Sequence, residues 1–266
     1  MAPGLTLWLL LDLAFLMKQL RLFGGVSYSI ALVTAVQGWY ILSSQFNESS
    51  ILTMMDITTD GMGFMLSFGD LVWVPFLYST QTRYLSTYPV MLGWWNTVGI
   101  TCVFAVGLYI FKASNHQKWL FRLEPSHPDV RGLKSLKTKR GTRLLISGWW
   151  GKSRHINYLG DWMQAWPFSL PTGVAGYVIL PAHSVLSSAS LGNDEARYMA
   201  DGTGRVVVQG EARGWGMILT YFYILYFAIL LIHRERRDDA MCEKKYGNDW
   251  ETYKGVVRWR IIPGVY

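Results

Sequence analysis

The chain has 266 residues, of which 51% are hydrophobic, 15% aromatic and 16% charged, with a formal net charge of +7. The charged fraction is well below the roughly 25% of an average soluble domain, so the composition argues against a disordered chain, a coiled coil and an ordinary soluble enzyme. Two cysteines are too few for a disulfide scaffold. Abundant Trp and Tyr are typical of proteins that meet a membrane interface.

The basic residues are concentrated in two stretches. Nineteen of the 25 Lys and Arg residues lie in 112–154 and 233–266. The positive-inside rule predicts that both stretches face the cytosol. They fit either two solvated loops or an anionic ligand held between them. Nucleic acid is disfavoured because both stretches adjoin apolar segments, and the five histidines have no metal-ligand spacing, so no metal is expected.

Apolar runs predict about six membrane spans, with a range of five to seven. In chain order they are Leu5–Met17, which contains Asp12, then Gly25–Leu42, Ile51–Ser79, Tyr88–Phe111, Trp166–Leu186 and Gly214–Ile232. Residues Leu123–Arg143 are polar and basic and predict a cytosolic loop. Residues Ser187–Arg213 predict a polar insert, and His233–Tyr266 a cytosolic tail that contains one short helix.

The third predicted span is unusual because it carries acids. Asp56, Asp60 and Asp70 lie in Ile51–Ser79 together with several Gly and Pro residues. Acids at membrane depth usually face a protein interior or a water-filled cavity, and Gly and Pro favour broken helices that line it. The alternative is an interfacial loop with solvated aspartates.

Three clusters could carry chemistry. Lys118 and Arg122 have the i, i+4 spacing that places two cations on one helix face, where an anion or water must separate them. The second cluster mixes aromatic, amide and charged groups among glycines: Trp149, Trp150, Arg154, His155, Asn157, Tyr158 and Asp161. In the third, Arg234, Arg236 and Arg237 adjoin Asp238 and Asp239, which suggests ion pairs. The residues alone therefore indicate a basic, aromatic cytosolic site for an anionic ligand.

Four long motifs resemble the sterol reductase family. They are LLISGWWGKSRHINYLGDW, LLIHRERRDDAMCEKKYGNDWETYKGVVRWRIIPGVY, NHQKWLFR and MDITTDGMGFMLSFGDLVWVPF. The family includes reductases of the sterol C14, C7 and C24(28) double bonds and the lamin B receptor. DITTDGMGFML followed by GDLVWVPF is most similar to the C14 branch, and to its fungal members in particular. Family members are longer, so we expect an N-terminally truncated form, with 1–266 as the C-terminal part of the membrane domain.

The resemblance implies an all-α fold, a polytopic integral membrane helical bundle with broken helices around a cytosol-facing cofactor pocket. It implies NADPH-dependent reduction of a sterol C14=C15 bond in the endoplasmic reticulum membrane, with the sterol entering from the lipid. By similarity, the NADPH contacts are Lys118, Arg122, Leu145, Trp150, Asn157, Tyr158, Asp238, Cys242, Glu243, Lys244, Lys245, Tyr246 and Tyr253. The candidate proton donors are Asp238, in a relay with Arg234, together with Tyr78 and, third, Asp60.

Three other interpretations remain open at this point. The lamin B receptor indicates that a chain of this kind can serve as a membrane scaffold, although no basic soluble domain is present in this sequence. A truncated and inactive paralogue is the second. The third is reduction of another sterol double bond, at C7 or C24(28).

Overall fold

The computed structural model describes residues 2–46, 63–90, 92–173, 177–180, 206–209 and 215–266. They form two compact units. Unit 1 contains Met1–Thr101 and Pro167–Tyr223, and unit 2 contains Cys102–Trp166 and Ile224–Tyr266. Most of the described residues are helical, and the described strands form two short hairpins, so the predicted all-α fold class is confirmed.

Unit 1 begins with two long helices and continues with a broken one. The helices are α1 (Ala2–Phe23), α2 (Tyr28–Phe46), α3 (Phe64–Phe68), α4 (Val74–Tyr78) and α5 (Thr80–Thr87), with a π-helical turn at Gly69–Trp73. The break predicted within Ile51–Ser79 is present in the part that is described, and Asp56 and Asp60 lie outside the described residues. A π-helical turn changes the helix register, and such turns are frequent at functional sites.

Unit 1 buries polar side chains as well as apolar ones. Its apolar cluster contains Ile30, Val33, Leu85, Val90 and Leu92. The Gln81 amide donates to the Thr220 carbonyl oxygen at 3.0 Å, and the Thr82 hydroxyl lies 2.6 Å from a carboxylate oxygen of Asp12. Asp12 and Thr82 are both fully buried. Hydrogen bonds between facing helices stabilise packing where lipid offers no partner, so these polar groups hold unit 1 together.

The other elements follow in chain order. They are α6 (Gly93–Leu123), α7 (Pro128–Arg131), β1 (Ser135–Lys137), β2 (Arg143–Leu145), α8 (Ile156–Ser169), β3 (Tyr177–Leu180), β4 (Val206–Gln209), α9 (Trp215–Thr220), α10 (Phe222–Tyr246) and α11 (Asn248–Val256). Short 3₁₀ turns lie at Gly148–Gly151 and Leu170–Thr172. Both hairpins are antiparallel, with Ser135 opposite Leu145 and Tyr177 opposite Gln209.

One predicted loop was wrong. Residues Leu123–Arg143 were expected to be loop, but they contain α7 and most of the β1–β2 hairpin. The tail His233–Tyr266 was predicted to contain one short helix, and its first part is a continuation of α10, which ends at Tyr246. The cytosolic location of the tail stays a prediction. The hydropathy falls at His233, but Glu, Arg, Lys and Met are good helix formers and no Gly or Pro interrupts the run. The end of an apolar run is therefore not the end of the helix.

Two helices in the described part are long and apolar enough to cross a membrane. They are Gly93–Leu123 and Ile218–Tyr246. The first covers most of the predicted span Tyr88–Phe111, and the second covers most of Gly214–Ile232. The predicted total of six spans, and the side of the membrane on which the basic stretches lie, remain predictions. The predicted insert Ser187–Arg213 lies outside the described residues except for β4.

Two glycines bring α6 and α8 into backbone contact within unit 2. A Cβ atom added at Gly107 would lie 2.8 Å from the Met163 Cβ and 2.9 Å from the Gly160 carbonyl oxygen. A Cβ added at Gly160 would lie 2.6 Å from the Phe111 nitrogen. No side chain fits between the two backbones, and close approach through small residues is a common way for membrane helices to associate.

We expect Gly107→Ala to destabilise the protein by about 1–3 kcal/mol, because the added methyl group overpacks the contact between α6 and α8. Gly99 is a matched control on the same helix, since a Cβ there would meet nothing within 4 Å. Gly99→Ala should be neutral or stabilising by up to about 1 kcal/mol through helix propensity. Thermal unfolding in detergent, followed by circular dichroism, measures both; equal melting temperatures for the two variants would contradict the contact.

Candidate functional site

A glycine- and tryptophan-rich turn lies against the C-terminal half of α6. Gly148 has a φ of +67°, and a Cβ there would lie 2.6 Å from the Gln117 amide. The Trp149 backbone nitrogen donates to that amide oxygen at 2.9 Å, and the Trp150 indole nitrogen donates to the Ser114 carbonyl oxygen at 2.8 Å. Glycine is required at 148 because the backbone is left-handed and the space is filled.

Trp150 fixes the position of Lys118. The Lys118 Nζ atom lies 4.1 Å from the centroid of the Trp150 ring, within the range of a cation–π interaction. Trp150 is only 5% exposed. One face of the indole is therefore occupied by the ammonium group, so Trp150 acts by holding this cation in place. Arg122 lies one helical turn further along α6 and is exposed.

Asp238 lies at the centre of a group of cations. Charge interactions link its carboxyl group to Lys118 and Arg122 on α6 and to Lys245 on its own helix, α10. The His155 Nε2 atom is 3.7 Å from an oxygen of Asp238. The structure thus links four residues from two separate segments of the sequence, and places His155 of a third segment beside them.

Two residues close to His155 in the chain carry unsatisfied polar atoms. The Asn157 Nδ2 atom donates to the Asn115 side-chain oxygen at 3.4 Å, whereas the Asn157 Oδ1 atom is buried without a hydrogen-bond partner. The Arg154 Nε atom is also buried without one. Buried polar groups are normally satisfied, so a ligand with donors and anionic oxygens would complete these atoms. Together with the nearby cations, they fit a phosphate-bearing cofactor.

The remaining predicted cofactor residues divide into core and surface positions. Leu145 packs with Trp150 in one apolar cluster, and Tyr253 packs in another, to which Cys242 and Tyr246 are adjacent. Burial raises the pKa of Tyr253 to about 12, so its hydroxyl keeps its proton. Glu243, Lys244 and Lys245 are exposed on α10.

Tyr78 belongs to unit 1, where it lies at the end of α4. Its ring packs edge-on against Trp8, with centroids 5.4 Å apart, and against Tyr223 at 4.4 Å. The Gln37 amide donates to the Tyr78 carbonyl oxygen at 3.0 Å. These contacts hold Tyr78 in an aromatic setting. Asp60, the third candidate donor, lies outside the described residues.

Sequence reasoning missed the importance of Glu235. Its side chain has no exposed surface, and its carboxylate accepts hydrogen bonds from Arg260 at 3.0 Å and from the Tyr266 hydroxyl at 3.3 Å. The Arg154 guanidinium is 4.0 Å away. The Glu235 carboxylate therefore pairs with residues that are far away in the sequence. Arg234 acts electrostatically on Asp161, and its predicted relay with Asp238 stays a prediction.

An open cavity of about 530 Å³ lies beside this ion-pair network. It is lined by Arg236, Asp239, Ala240, Glu243, Arg260 and Tyr266. It shares only Glu243 with the predicted cofactor residues, and its acids and bases are mixed in sign. The group around Asp238 is the better candidate site for an anion, because three cations face Asp238 and Asp239 there, whereas the two arginines of this cavity are balanced by two carboxylates.

The sequence analysis noted His155 in an aromatic cluster but did not include it among the predicted site residues. It is 6% exposed, and its ring stacks on Tyr158 with centroids 4.9 Å apart. Burial, with the charges of Lys118, Arg154 and Arg260, lowers its pKa from 6.5 to about 3, against the opposing effect of Asp239. The imidazole is therefore neutral in the folded protein near neutral pH.

The depressed pKa of His155 predicts acid sensitivity. Above pH 6.5 both the folded and the unfolded chain carry a neutral imidazole; between 6.5 and about 3 only the unfolded chain binds the proton, so the free energy of unfolding falls as pH falls. The loss from pH 6.5 to pH 5 should be about 2 kcal/mol. Melting curves at both pH values should show a smaller acid shift for His155→Gln than for wild type. His127→Gln, at a half-exposed position, is the control and should behave as wild type; an unchanged acid shift in His155→Gln would contradict the argument.

Comparisons with known proteins agree with the motifs. The family model described as "Ergosterol biosynthesis ERG4/ERG24 family" matches residues 1–266. The chain is 58% identical over 266 residues to a Delta(14)-sterol reductase of Neurospora crassa, covering 100% of this chain and 52% of that protein. It is 56% identical over 266 residues to Delta(14)-sterol reductase ERG24B of Gibberella zeae, covering 100% and 54%. It is 46% identical over 265 residues to Delta(14)-sterol reductase erg24 of Schizosaccharomyces pombe, covering 99% and 53%. The chain thus spans about half the length of the curated relatives it matches.

Proposed function

Since the chain belongs to the ergosterol biosynthesis ERG4/ERG24 family, we propose that it takes part in the NADPH-dependent reduction of the C14=C15 double bond of a sterol. The names of its relatives favour this bond over those at C7 and C24(28). The observation that carries the proposal is the charge interaction of Asp238 with Lys118, Arg122 and Lys245, in the same unit as the buried, unpartnered Asn157 oxygen. A membrane scaffold has no need of such a group.

The cations define where an anionic cofactor would be held. Lys118 and Arg122 lie one turn apart on α6 and would neutralise phosphate oxygens, including a 2′-phosphate. The unpartnered oxygen of Asn157 would accept a hydrogen bond from a carboxamide or a ribose hydroxyl. NADPH, when bound, supplies the hydride. Leu145 and Tyr253 would support this site from the two apolar clusters beneath it.

The protein must also supply a proton. An isolated C14=C15 bond is not electron-poor, so its reduction requires protonation at C15 by a positioned acid. Asp238 and Tyr78 are the proposed donors. Burial raises the pKa of the Asp238 carboxyl group, against the opposing effect of Lys118 and Arg122, which favours the protonated form that a donor needs. Tyr78 has a phenol in an aromatic setting of unit 1. The sterol would reach the site from the bilayer, since two helices of the chain are able to cross it.

The same proposal includes the membrane in which the protein lies and the organisation of its chain. The chain would be a multi-pass protein of the endoplasmic reticulum membrane, where sterol intermediates dissolve in the lipid. Residues 1–266 would form the C-terminal part of a sterol reductase membrane domain. Residues 187–213 would be a polar insert away from the site, and 233–266 a cytosolic segment that continues the last span.

We expect Arg122→Ala to weaken NADPH binding by about 2 kcal/mol or more, which is roughly 30-fold in Kd, because it removes a charged partner of the phosphate. The measurement is NADPH titration of the purified chain in detergent, followed by tryptophan fluorescence. Arg131→Ala, an exposed arginine in the same basic stretch, is the control and should bind as wild type. Equal affinity of the wild type for NADH and NADPH would contradict recognition of the 2′-phosphate.

Asp238→Asn keeps the shape of the side chain and removes its charge, so we expect it to abolish reduction of a C14-unsaturated sterol. The assay uses microsomes that contain the chain, with NADPH and the sterol, and compares protein levels by immunoblot. Asp249→Asn is the matched control and should keep activity, because Asp249 accepts a hydrogen bond from the Lys139 backbone nitrogen and is not among the charges that act on Asp238. Full activity of the Asp238→Asn variant would return Asp238 to a structural role.

A further inference from the structure

The His155 ring is held on several sides. The His155 backbone nitrogen donates to the Arg260 carbonyl oxygen at 2.8 Å, and the Arg154 nitrogen donates to the Trp259 carbonyl oxygen at 2.9 Å. The Ser153 hydroxyl donates to the Ile261 carbonyl oxygen at 2.9 Å. Three consecutive residues are thus tied to one segment near the C-terminal end of the described chain. The ring then stacks on Tyr158, so neither the backbone nor the imidazole is free to turn.

This arrangement directs one ring nitrogen at Asp238. The distance from His155 Nε2 to Asp238 Oδ2 is 3.7 Å, slightly longer than a direct hydrogen bond. Hydrogen bonds of catalytic groups are often long before ligand binds and shorten in the complex, and a water molecule can also bridge such a gap. His155 is therefore placed to restrain the direction of the Asp238 carboxyl group.

The charged groups around His155 favour a neutral imidazole ring. The charged groups that face it are Lys118 of α6, Arg154 of the preceding turn, Arg260 of the C-terminal segment, and Asp238 and Asp239 of α10. Three cations beside a buried ring disfavour a second proton on it. A neutral imidazole donates from one nitrogen and accepts at the other, so it can orient a carboxylate or a carboxylic acid. An arginine in its place would stabilise only the carboxylate.

We propose that His155 is a positioning residue that orients the Asp238 carboxyl group for proton delivery to the sterol. The inference rests on the proposed function and adds to it a residue that acts through Asp238. A neutral ring suits this task, because Asp238 must alternate between its protonated and ionised forms during turnover. Tyr158 and the backbone bonds of 153–155 keep the imidazole in place throughout.

The test compares His155→Ala and His155→Gln in the complete chain, with turnover of a C14-unsaturated sterol, NADPH affinity and melting temperature as readouts. His155→Ala should lower kcat about 10- to 100-fold, the order of magnitude seen when a residue that orients a metal-ligating side chain is removed. The Kd for NADPH should stay within about 2-fold of wild type. His155→Gln carries an amide nitrogen near the position of Nε2 and should recover most of kcat, because it restores a donor to Asp238 without titrating.

Thr138→Ala is the matched structural control. It removes a hydrogen bond from a buried hydroxyl to the Thr142 carbonyl oxygen in the same unit and should lower the melting temperature while leaving kcat near wild type. The inference is overturned if His155→Ala keeps the wild-type kcat, if His155→Gln is as inactive as His155→Ala, or if Thr138→Ala loses as much kcat as His155→Ala. A wild-type chain that reduces no sterol overturns the proposed function and the inference with it, whereas an active wild type with an active His155→Ala overturns the inference alone.

Discussion

The buried carboxylate of Glu235 is the interaction on which the rest of unit 2 depends. Its charge has no exposed surface and is balanced by Arg260 at 3.0 Å and by Arg154 at 4.0 Å. Removing one partner of such a buried pair typically costs about 3–5 kcal/mol, since a charge is left uncompensated away from water. The network therefore fixes α10 relative to two segments that are distant in sequence, the turn at 153–155 and the segment at 259–261.

The candidate site follows from this anchoring. With 259–261 held by Glu235, the backbone bonds from 153–155 to that segment place the start of α8, and with it His155 and Asn157. The glycine contact between α6 and α8 then fixes the helix that carries Lys118. Two residues one turn apart on α10 thus have different surroundings: Glu235 is paired within the fold, and Asp238 faces the cations of the candidate site.

The sequence predicted the local parts of this arrangement well. Spacing along a helix is a local property, so the shared face of Lys118 and Arg122 and the broken character of 63–79 could be deduced from the residues. The motifs identified the family. Other features could not be predicted because they depend on pairing between remote segments. No periodicity shows that Arg260 reaches Glu235 or that Asp238 faces His155. Hydropathy located the apolar span that ends at Ile232, but it did not show that the helix-like run after this span belongs to the same helix, which ends at Tyr246.

The unbroken course of α10 has a mechanical consequence. No Gly or Pro lies between Ile224 and Tyr246, so this part of the helix has no hinge between its apolar turns and Asp238. A helix responds to a thicker or thinner bilayer by tilting, and a rod without a hinge carries that tilt along its whole length. Because the Glu235 network ties α10 to 153–155 and 259–261, a tilt of α10 would carry His155 along with Asp238 and keep the 3.7 Å between them.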